Sequence, residues 1–206
     1  MLLYLIVDAS LCDAVSTARS AAAAGVDFIQ LRFQGATDAQ YTALAREVMS
    51  AIASTHTKFI VGERPHLVPR LGAAGVHIGE KYRDIQTARE EIGAGPILGV
   101  SGFTPEAVAA LVGEDFPVDY LSIGPVWTTV SKPDAGAAIG VAESVVRAQA
   151  NPYHSALIGG VTAANAGELA TAVGNLPGAM IVVLGEVCRA ADPAAAVRAI
   201  RASIGN

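Results

Sequence analysis

The sequence predicts a closed barrel of eight parallel strands and eight helices, a (β/α)8 TIM barrel in which residues 1–206 form a single domain. Eight short apolar runs rich in Val, Ile and Leu alternate with Ala-rich stretches of helical spacing. The runs are almost continuously apolar, as expected for strands that are buried on both faces. No linker or change in composition interrupts the alternation. An open doubly wound sheet would give the same alternation, but the count of eight favours the closed barrel.

The element boundaries follow from apolar runs and from residues that start or stop helices. Strands are predicted at residues 2–7, 27–32, 58–61, 75–78, 96–100, 118–123, 156–158 and 179–184. Helices are predicted at residues 11–24, 38–54, 65–71, 84–92, from 104 onward, up to about 150, 163–173 and 193–204. The helix starts are marked by small polar residues or by proline in the first turn, namely Thr37, Asp84, Thr104 with Pro105, Thr162 and Asp192. Gly25 ends the first helix.

Composition limits the classes of partner. The chain has 52% apolar and 16% charged residues and a formal net charge of −5, without a basic cluster, which argues against nucleic acid. No apolar run approaches the roughly 20 residues needed to cross a bilayer, so no membrane association is expected. Cys12 and Cys188 are expected to be free packing thiols, and the sequence has no signal-peptide pattern, which predicts a cytoplasmic protein. Whether it forms a homo-oligomer is left open.

Polar residues near the ends of strands two to four are the first candidates for chemistry. Gln30 and Arg32 are two residues apart on one strand and therefore point to the same side. Arg32 is expected at the barrel mouth facing an anion, or alternatively paired with a carboxylate such as Asp8 or Glu63. Glu63 and Glu80 follow neighbouring strands and either share Mg²⁺ or are solvated loop charges. His77 lies within strand four and is expected to be a hydrogen-bonded structural residue, with a catalytic role as the alternative.

The second half of the chain carries features typical of a phosphate site. Thr129, Ser131 and Lys132 combine two hydroxyls with an ammonium in a long loop after strand six. Gly160 and Gly185 follow strands seven and eight, where barrel enzymes commonly bind phosphate through backbone N–H groups. Tight packing is the alternative reason for both glycines. The predicted ligands are therefore phosphorylated small molecules.

The segments LYLIVD, FIQLR, GAAGVHIGE, GVSGFTPE, DYLSIGPVWTTVSKPDAG and LIGGV occur in this order along the chain. In order and spacing they resemble the thiamine phosphate synthase and thiazole tautomerase superfamily over essentially the whole length. The resemblance implies a (β/α)8 barrel that joins hydroxymethylpyrimidine diphosphate to hydroxyethylthiazole phosphate and releases pyrophosphate, with Mg²⁺ and cations stabilising the departing diphosphate.

Site residues carry over from this resemblance position by position. It places Gln30, Arg32, Ser101 and Lys132 at the pyrimidine diphosphate, with Arg32, Ser101 and Lys132 expected to serve catalysis. It places Thr129, Ser131 and the backbone of Gly159 and Gly160 at the thiazole phosphate, with Gly185 beside it.

Three positions depart from the pattern of the synthases. Gln34, expected to bind substrate, stands where synthases usually have a lysine. The stretches after strands three and four read Gly62-Glu63-Arg64 and Gly79-Glu80-Lys81-Tyr82, so that two expected aspartate ligands are replaced by one Glu and one Tyr. A tautomerase-like isomerase and a non-catalytic protein that binds phosphorylated ligands are therefore the alternatives to a synthase.

Overall fold

In the computed structural model, eight parallel strands close into a barrel in chain order, with β1 hydrogen-bonded to both β2 and β8. The structure describes residues 1–79, 84–102, 104, 106–107, 118–132 and 135–205. The strands are β1 Leu2–Asp8, β2 Phe28–Arg32, β3 Lys58–Gly62, β4 Gly75–Ile78, β5 Ile97–Val100, β6 Tyr120–Ile123, β7 His154–Ile158 and β8 Met180–Val183. The predicted (β/α)8 class is confirmed, and the open sheet was the wrong alternative.

Helices follow the strands on the outside of the barrel. Within the described part of the chain they are α1 Ala14–Ala23, α2 Asp38–Ile52, α3 Val68–Leu71, α4 Ile85–Ile92, α5 Gly140–Ala150, α6 Ala166–Val173, α7 Gly185–Cys188 and α8 Pro193–Ser203. A 3₁₀ turn, Pro65–Leu67, precedes α3. Most of the helix predicted from residue 104 lies outside the described residues, although the Thr104 hydroxyl accepts a hydrogen bond from the Ala107 amide (3.2 Å).

The two-residue period of the strands separates two hydrophobic cores. On β1, Leu3, Leu5 and Val7 belong to the large core beneath the helices, whereas Tyr4 and Ile6 belong to the smaller core inside the barrel. The same alternation on β2 directs Gln30 and Arg32 inward with Tyr4, because β1 and β2 pair Ile6 with Gln30 and Asp8 with Arg32. The barrel interior therefore becomes polar toward the carboxyl ends of its strands.

Helix starts follow the predicted caps at three places. Thr37 forms a capping box with Gln40, and the carboxylates of Asp84 and Asp192 accept amide hydrogen bonds of 2.8 and 2.9 Å from residues in the first turn. Such a cap stabilises a helix by about 1 kcal/mol. The prediction was wrong for α1, which begins after Asp13 rather than at residue 11, because Asp13 accepts from the Ser16 amide (2.7 Å).

Two further predictions around β7 and β8 need correction. Thr162 does not cap α6: its amide donates to the side chain of Asn165 (2.7 Å), and the helix begins after Asn165. β7 is longer than predicted and starts at His154. The helix α7 was missed, because Gly185 was interpreted as a loop glycine and not as the first residue of a helical turn.

Both cysteines are free thiols that pack near β1, as predicted. The Cys12 thiol donates to the Asp8 carbonyl (3.5 Å), and the Cys188 thiol donates to the Ile6 carbonyl (3.4 Å).

Across the part of the chain that the structure describes, no helix combines the length and the apolar character needed to cross a membrane.

Candidate active site

A cavity of about 1170 Å³ opens at the carboxyl ends of the strands. All the predicted site residues within the described ranges line it: Gln30, Arg32, Gln34, Glu63, Ser101, Thr129, Ser131, Lys132, Gly159, Gly160 and Gly185. Glu80 lies outside the described residues. Residues that are far apart in sequence therefore meet at one cavity because each lies in or follows a strand of the same barrel.

Arg32 borders the cavity and is also ion-paired with Asp8 on the neighbouring strand. Asp8 additionally accepts hydrogen bonds from the amide (2.9 Å) and the hydroxyl (2.6 Å) of Ser10. Burial by itself would raise the pKa of Asp8, but the hydrogen bonds from Ser10 and the Arg32 guanidinium outweigh it and lower that pKa. Of the two expectations for Arg32, the pairing with Asp8 is therefore observed, and it coexists with a place at the barrel mouth.

A hydrogen-bonded chain of four side chains lies inside the barrel, and its two ends, Gln30 and His77, border the cavity. The Tyr4 hydroxyl donates to Gln30 Oε1 (2.9 Å) and lies 3.0 Å from the Tyr120 hydroxyl, which in turn lies 3.0 Å from His77 Nδ1. Each hydroxyl has one proton. Because Tyr4 donates to Gln30, Tyr120 must donate to Tyr4, and His77 must donate its Nδ1 proton to Tyr120.

His77 is therefore a neutral imidazole whose Nε2 is left as an acceptor. Desolvation, followed by the charge of Lys132, lowers the pKa of His77 to about 4, and the ring borders the cavity. Desolvation also raises the pKa values of Tyr4 and Tyr120 well above the ordinary value, so both hydroxyls stay protonated. The hydrogen bonding predicted for His77 is confirmed by its contact with Tyr120, and this chain fixes the orientation of the Gln30 amide. Sequence reasoning did not find the two tyrosines.

Glu63 presents a carboxylate to the cavity from the end of β3. Its backbone has a φ of 62°, and its amide donates to the His77 carbonyl (2.9 Å). Oε1 of Glu63 would be 2.7 Å from a Cβ placed on Gly79, and Ser101 Oγ would be 3.6 Å from the same point. Among the described residues, no group of three or more His, Cys, Asp or Glu side chains is arranged to hold a metal ion. The pairing of Glu63 with Glu80 thus stays a prediction.

Two glycines after β7 allow a close approach of the loop that follows β6. Gly159 and Gly160 have φ values of 109° and 64°. A Cβ on Gly159 would lie 2.5 Å from Pro125 Cα, and one on Gly160 would lie 2.6 Å from the Thr128 carbonyl oxygen. Backbone conformation and packing both require glycine at these two positions, which agrees with tight packing, the alternative expected for Gly160 from the sequence. A phosphate role for their amides stays a prediction.

The loop after β6 carries the predicted hydroxyls and ammonium. The Ser131 amide donates to Thr129 Oγ1 (3.2 Å), and Lys132 lies close enough to His77 to lower its pKa. Ser131 Oγ accepts a hydrogen bond from Arg189 Nη1 (3.2 Å), a residue that sequence reasoning missed. Arg189 follows Gly185 by four residues, and on a helix this spacing places both on one face. Recognising α7 would have identified it.

Comparison with known proteins gives a consistent result along nearly the whole chain. The sequence model of a family described as thiamine monophosphate synthase matches residues 3–177. The chain is 31% identical over 207 residues to the thiamine-phosphate synthase of Laribacter hongkongensis, with 98% of this chain and 95% of that protein covered. It is 34% identical over 201 residues to the thiamine-phosphate synthase of Methanospirillum hungatei, with 95% and 94% covered. The fold resembles the thiamine phosphate pyrophosphorylase from Pyrococcus furiosus, with a TM-score of 0.85, 27% identity, and 98% and 95% coverage.

Proposed function

We propose that this chain, which belongs to the thiamine monophosphate synthase family, joins hydroxymethylpyrimidine diphosphate to hydroxyethylthiazole phosphate and releases pyrophosphate. The observation that carries the proposal is that both predicted groups of binding residues border one cavity of about 1170 Å³. That volume exceeds the roughly 300–1000 Å³ of a typical single-ligand pocket, so two small substrates fit side by side.

The reaction is a substitution at the methylene carbon of the pyrimidine. The C–O bond breaks with its electron pair leaving on the diphosphate, and the resulting cation is stabilised by the pyrimidine ring. The lone pair of the thiazole nitrogen then forms the new C–N bond. Lys132 and Arg32, with a hydrogen bond from Ser101, stabilise the charge on the departing diphosphate, and Gln30 orients the pyrimidine. Thr129 and Ser131 bind the thiazole phosphate and hold its ring against the reacting carbon.

Mg²⁺ suits the oxygen ligands at the edge of this cavity. The Glu63 carboxylate and the nearby Ser101 hydroxyl are hard oxygen donors, and Mg²⁺ usually needs few protein ligands because it retains water and phosphate oxygens. We propose that Glu63 holds the ion, with Glu80 as the second carboxylate. When bound, the ion would neutralise part of the diphosphate charge. A cytoplasmic location stays a prediction from the sequence, and the oligomeric state stays open.

The decisive experiment incubates purified protein with both substrates and Mg²⁺ and measures thiamine phosphate by chromatography. No product at high enzyme concentration would refute the proposed function. Glu63→Gln should increase the Mg²⁺ concentration needed for half-maximal rate by about tenfold, since a neutral amide replaces a charged ligand. Glu47→Gln, on the outer helix α2, is the matched control. The same protein tested with a thiazole carboxylate phosphate separates the isomerase alternative, because isomerisation would change the absorbance of that substrate.

A further inference from the structure

Arg189 brings a guanidinium to the cavity at a place where the sequence predicted only hydroxyls and backbone. It lies directly after α7, is exposed, and borders the cavity. Its Nη1 donates to Ser131 Oγ (3.2 Å), and no other contact of this guanidinium is found among the described residues. Since an arginine has five N–H donors in a planar fork, most of them are available to a ligand.

The hydrogen bond between the two side chains also orients the serine. Ser131 Oγ uses a lone pair to accept from Arg189, so its own O–H remains free to donate elsewhere. The Ser131 amide is tied to Thr129 Oγ1 (3.2 Å), which fixes the backbone on which the serine stands. A hydroxyl and a guanidinium held side by side in this way match the geometry of a phosphate group.

Gly185 provides the space that the guanidinium occupies. A Cβ at this position would lie 2.4 Å from Arg189 Nη1 and 2.8 Å from Ser131 Oγ. Any larger residue at 185 would therefore displace the end of the Arg189 side chain. The nearby carboxylate of Glu186 accepts a hydrogen bond from the Ala163 amide (3.2 Å) and is not paired with Arg189.

We propose that Arg189, together with Ser131, binds the phosphate of the thiazole substrate and makes the site selective for the phosphorylated over the unphosphorylated thiazole. This inference rests on the proposed function for the identity of that substrate. The competing explanation is structural: Arg189 would only tie the loop at Ser131 to α7. The two explanations differ in one respect, because only a binding role makes affinity depend on whether the ligand carries a phosphate.

The test measures binding by calorimetry for hydroxyethylthiazole phosphate, for the unphosphorylated thiazole alcohol and for inorganic phosphate alone. Arg189→Met keeps much of the length of the side chain but removes the charge, and Arg46→Met, on the outer side of α2, is the matched control. We expect Arg189→Met to bind thiazole phosphate and inorganic phosphate about tenfold more weakly, with the alcohol unaffected. Arg189→Lys should recover part of the loss, since it keeps the charge but not the fork.

Gly185→Ala tests the same proposal without replacing the arginine. It should weaken binding of inorganic phosphate in the wild-type background and have a smaller effect in Arg189→Met, where the methyl group can displace only Ser131 Oγ and no longer the guanidinium. Melting temperatures confirm that each variant is folded.

Equal phosphate affinity in wild type and Arg189→Met would overturn the proposal, as would an equal loss for the phosphorylated and unphosphorylated thiazole. A failed synthase assay combined with Arg189-dependent binding of inorganic phosphate would instead refute the proposed function and leave the phosphate pair standing.

Discussion

Replacing Gly99 by alanine should destabilise the barrel by disrupting the hydrogen-bonded chain inside it, which includes Tyr4 and Tyr120. A Cβ at Gly99 would lie 1.9 Å from Tyr120 Cζ and 2.3 Å from its hydroxyl oxygen, because the ring of Tyr120 crosses the β5 backbone at this point. The ring has no free direction in which to move. It is only 3% exposed, it stacks on His77 with 5.5 Å between ring centroids, and its hydroxyl bonds Tyr4 and His77.

The magnitude follows from two costs. Overpacking a core typically costs about 1–3 kcal/mol. Loss of the two hydrogen bonds of Tyr120 adds about 0.5–1.5 kcal/mol each. We therefore expect Gly99→Ala to reduce the free energy of unfolding by about 4 kcal/mol, which for a chain of this size lowers the melting temperature by about 8–16 °C.

Thermal and urea denaturation measure the effect, with Gly95→Ala as the matched control. A Cβ on Gly95 would have no neighbour within 4 Å, and neither glycine has a left-handed φ, so backbone strain does not distinguish the two variants. Gly95→Ala should melt at or slightly above the wild-type temperature. If Gly99→Ala melted within about 2 °C of wild type, less than 1 kcal/mol would have been lost, and the rigid placement of Tyr120 would be wrong. Gly99→Ala should also raise KM for the pyrimidine diphosphate, because Gln30 loses the hydrogen bond from Tyr4 that orients its amide.

The remaining predictions concern three titratable side chains. Lys132→Ala should lower kcat/KM for the pyrimidine diphosphate by about thirtyfold in steady-state assays, and an unchanged kcat/KM would remove Lys132 from the diphosphate site. The pKa of His77 is about 4 in the folded protein and near 6.5 in the unfolded chain, so the unfolded state binds more protons between these values. The free energy of unfolding should thus decrease as pH falls through this window. Measured by urea denaturation, the decrease should be up to about 3 kcal/mol larger in wild type than in His77→Gln. The same pH dependence in both proteins would contradict this prediction. The neighbouring Cys188 thiol lowers the pKa of Cys12, so alkylation of Cys12 followed by mass spectrometry should have its pH midpoint below that of an ordinary cysteine, and the midpoint should move upward in Cys188→Ala. A midpoint that did not move would exclude that effect of Cys188.

The fold could be predicted because its signals are local. A strand buried on both faces needs a continuous apolar run, and a helix start needs a side-chain acceptor, so both can be identified within a few neighbouring residues. One error, at the start of α6, occurred where two nearby residues offered the same chemistry. Thr162 and Asn165 are both of a residue type that caps helices, but the Asn165 side chain caps nothing and instead accepts from the Thr162 amide (2.7 Å) and donates to the Gly160 carbonyl (2.9 Å). That contact depends on how the loop packs against its neighbours.

Inward-facing site residues could be predicted from the residues alone only where they stand at the carboxyl end of a strand. Gln30, Arg32 and Ser101 line the cavity as expected, because inward positions at the carboxyl ends of parallel strands converge on one mouth. Tyr4 and Tyr120 were missed because each is one aromatic residue in an apolar run, where a core role is the ordinary interpretation. They are 116 residues apart, and nothing in a single sequence indicates that their hydroxyls meet.

The ion pairs around the cavity leave two of its cationic side chains available to the two phosphorylated substrates. Within the described residues, three of the five Arg and Lys side chains that line the cavity are already paired with carboxylates: Arg32 with Asp8, Arg64 with Asp38, and Arg147 with Glu143. Lys132 and Arg189 are the two without such a partner there. They act on different groups: the charge of Lys132 lowers the pKa of His77, whereas Arg189 donates a hydrogen bond to Ser131.

Each of these two cations can therefore serve one phosphorylated group. A phosphate monoester carries close to two negative charges at neutral pH, and a diphosphate carries more. Lys132, with Arg32 whose charge is already balanced by Asp8, leaves the diphosphate undercompensated, particularly beside the carboxylate of Glu63. The same charge count that assigns Arg189 to the monophosphate therefore favours a divalent cation between Glu63 and the diphosphate.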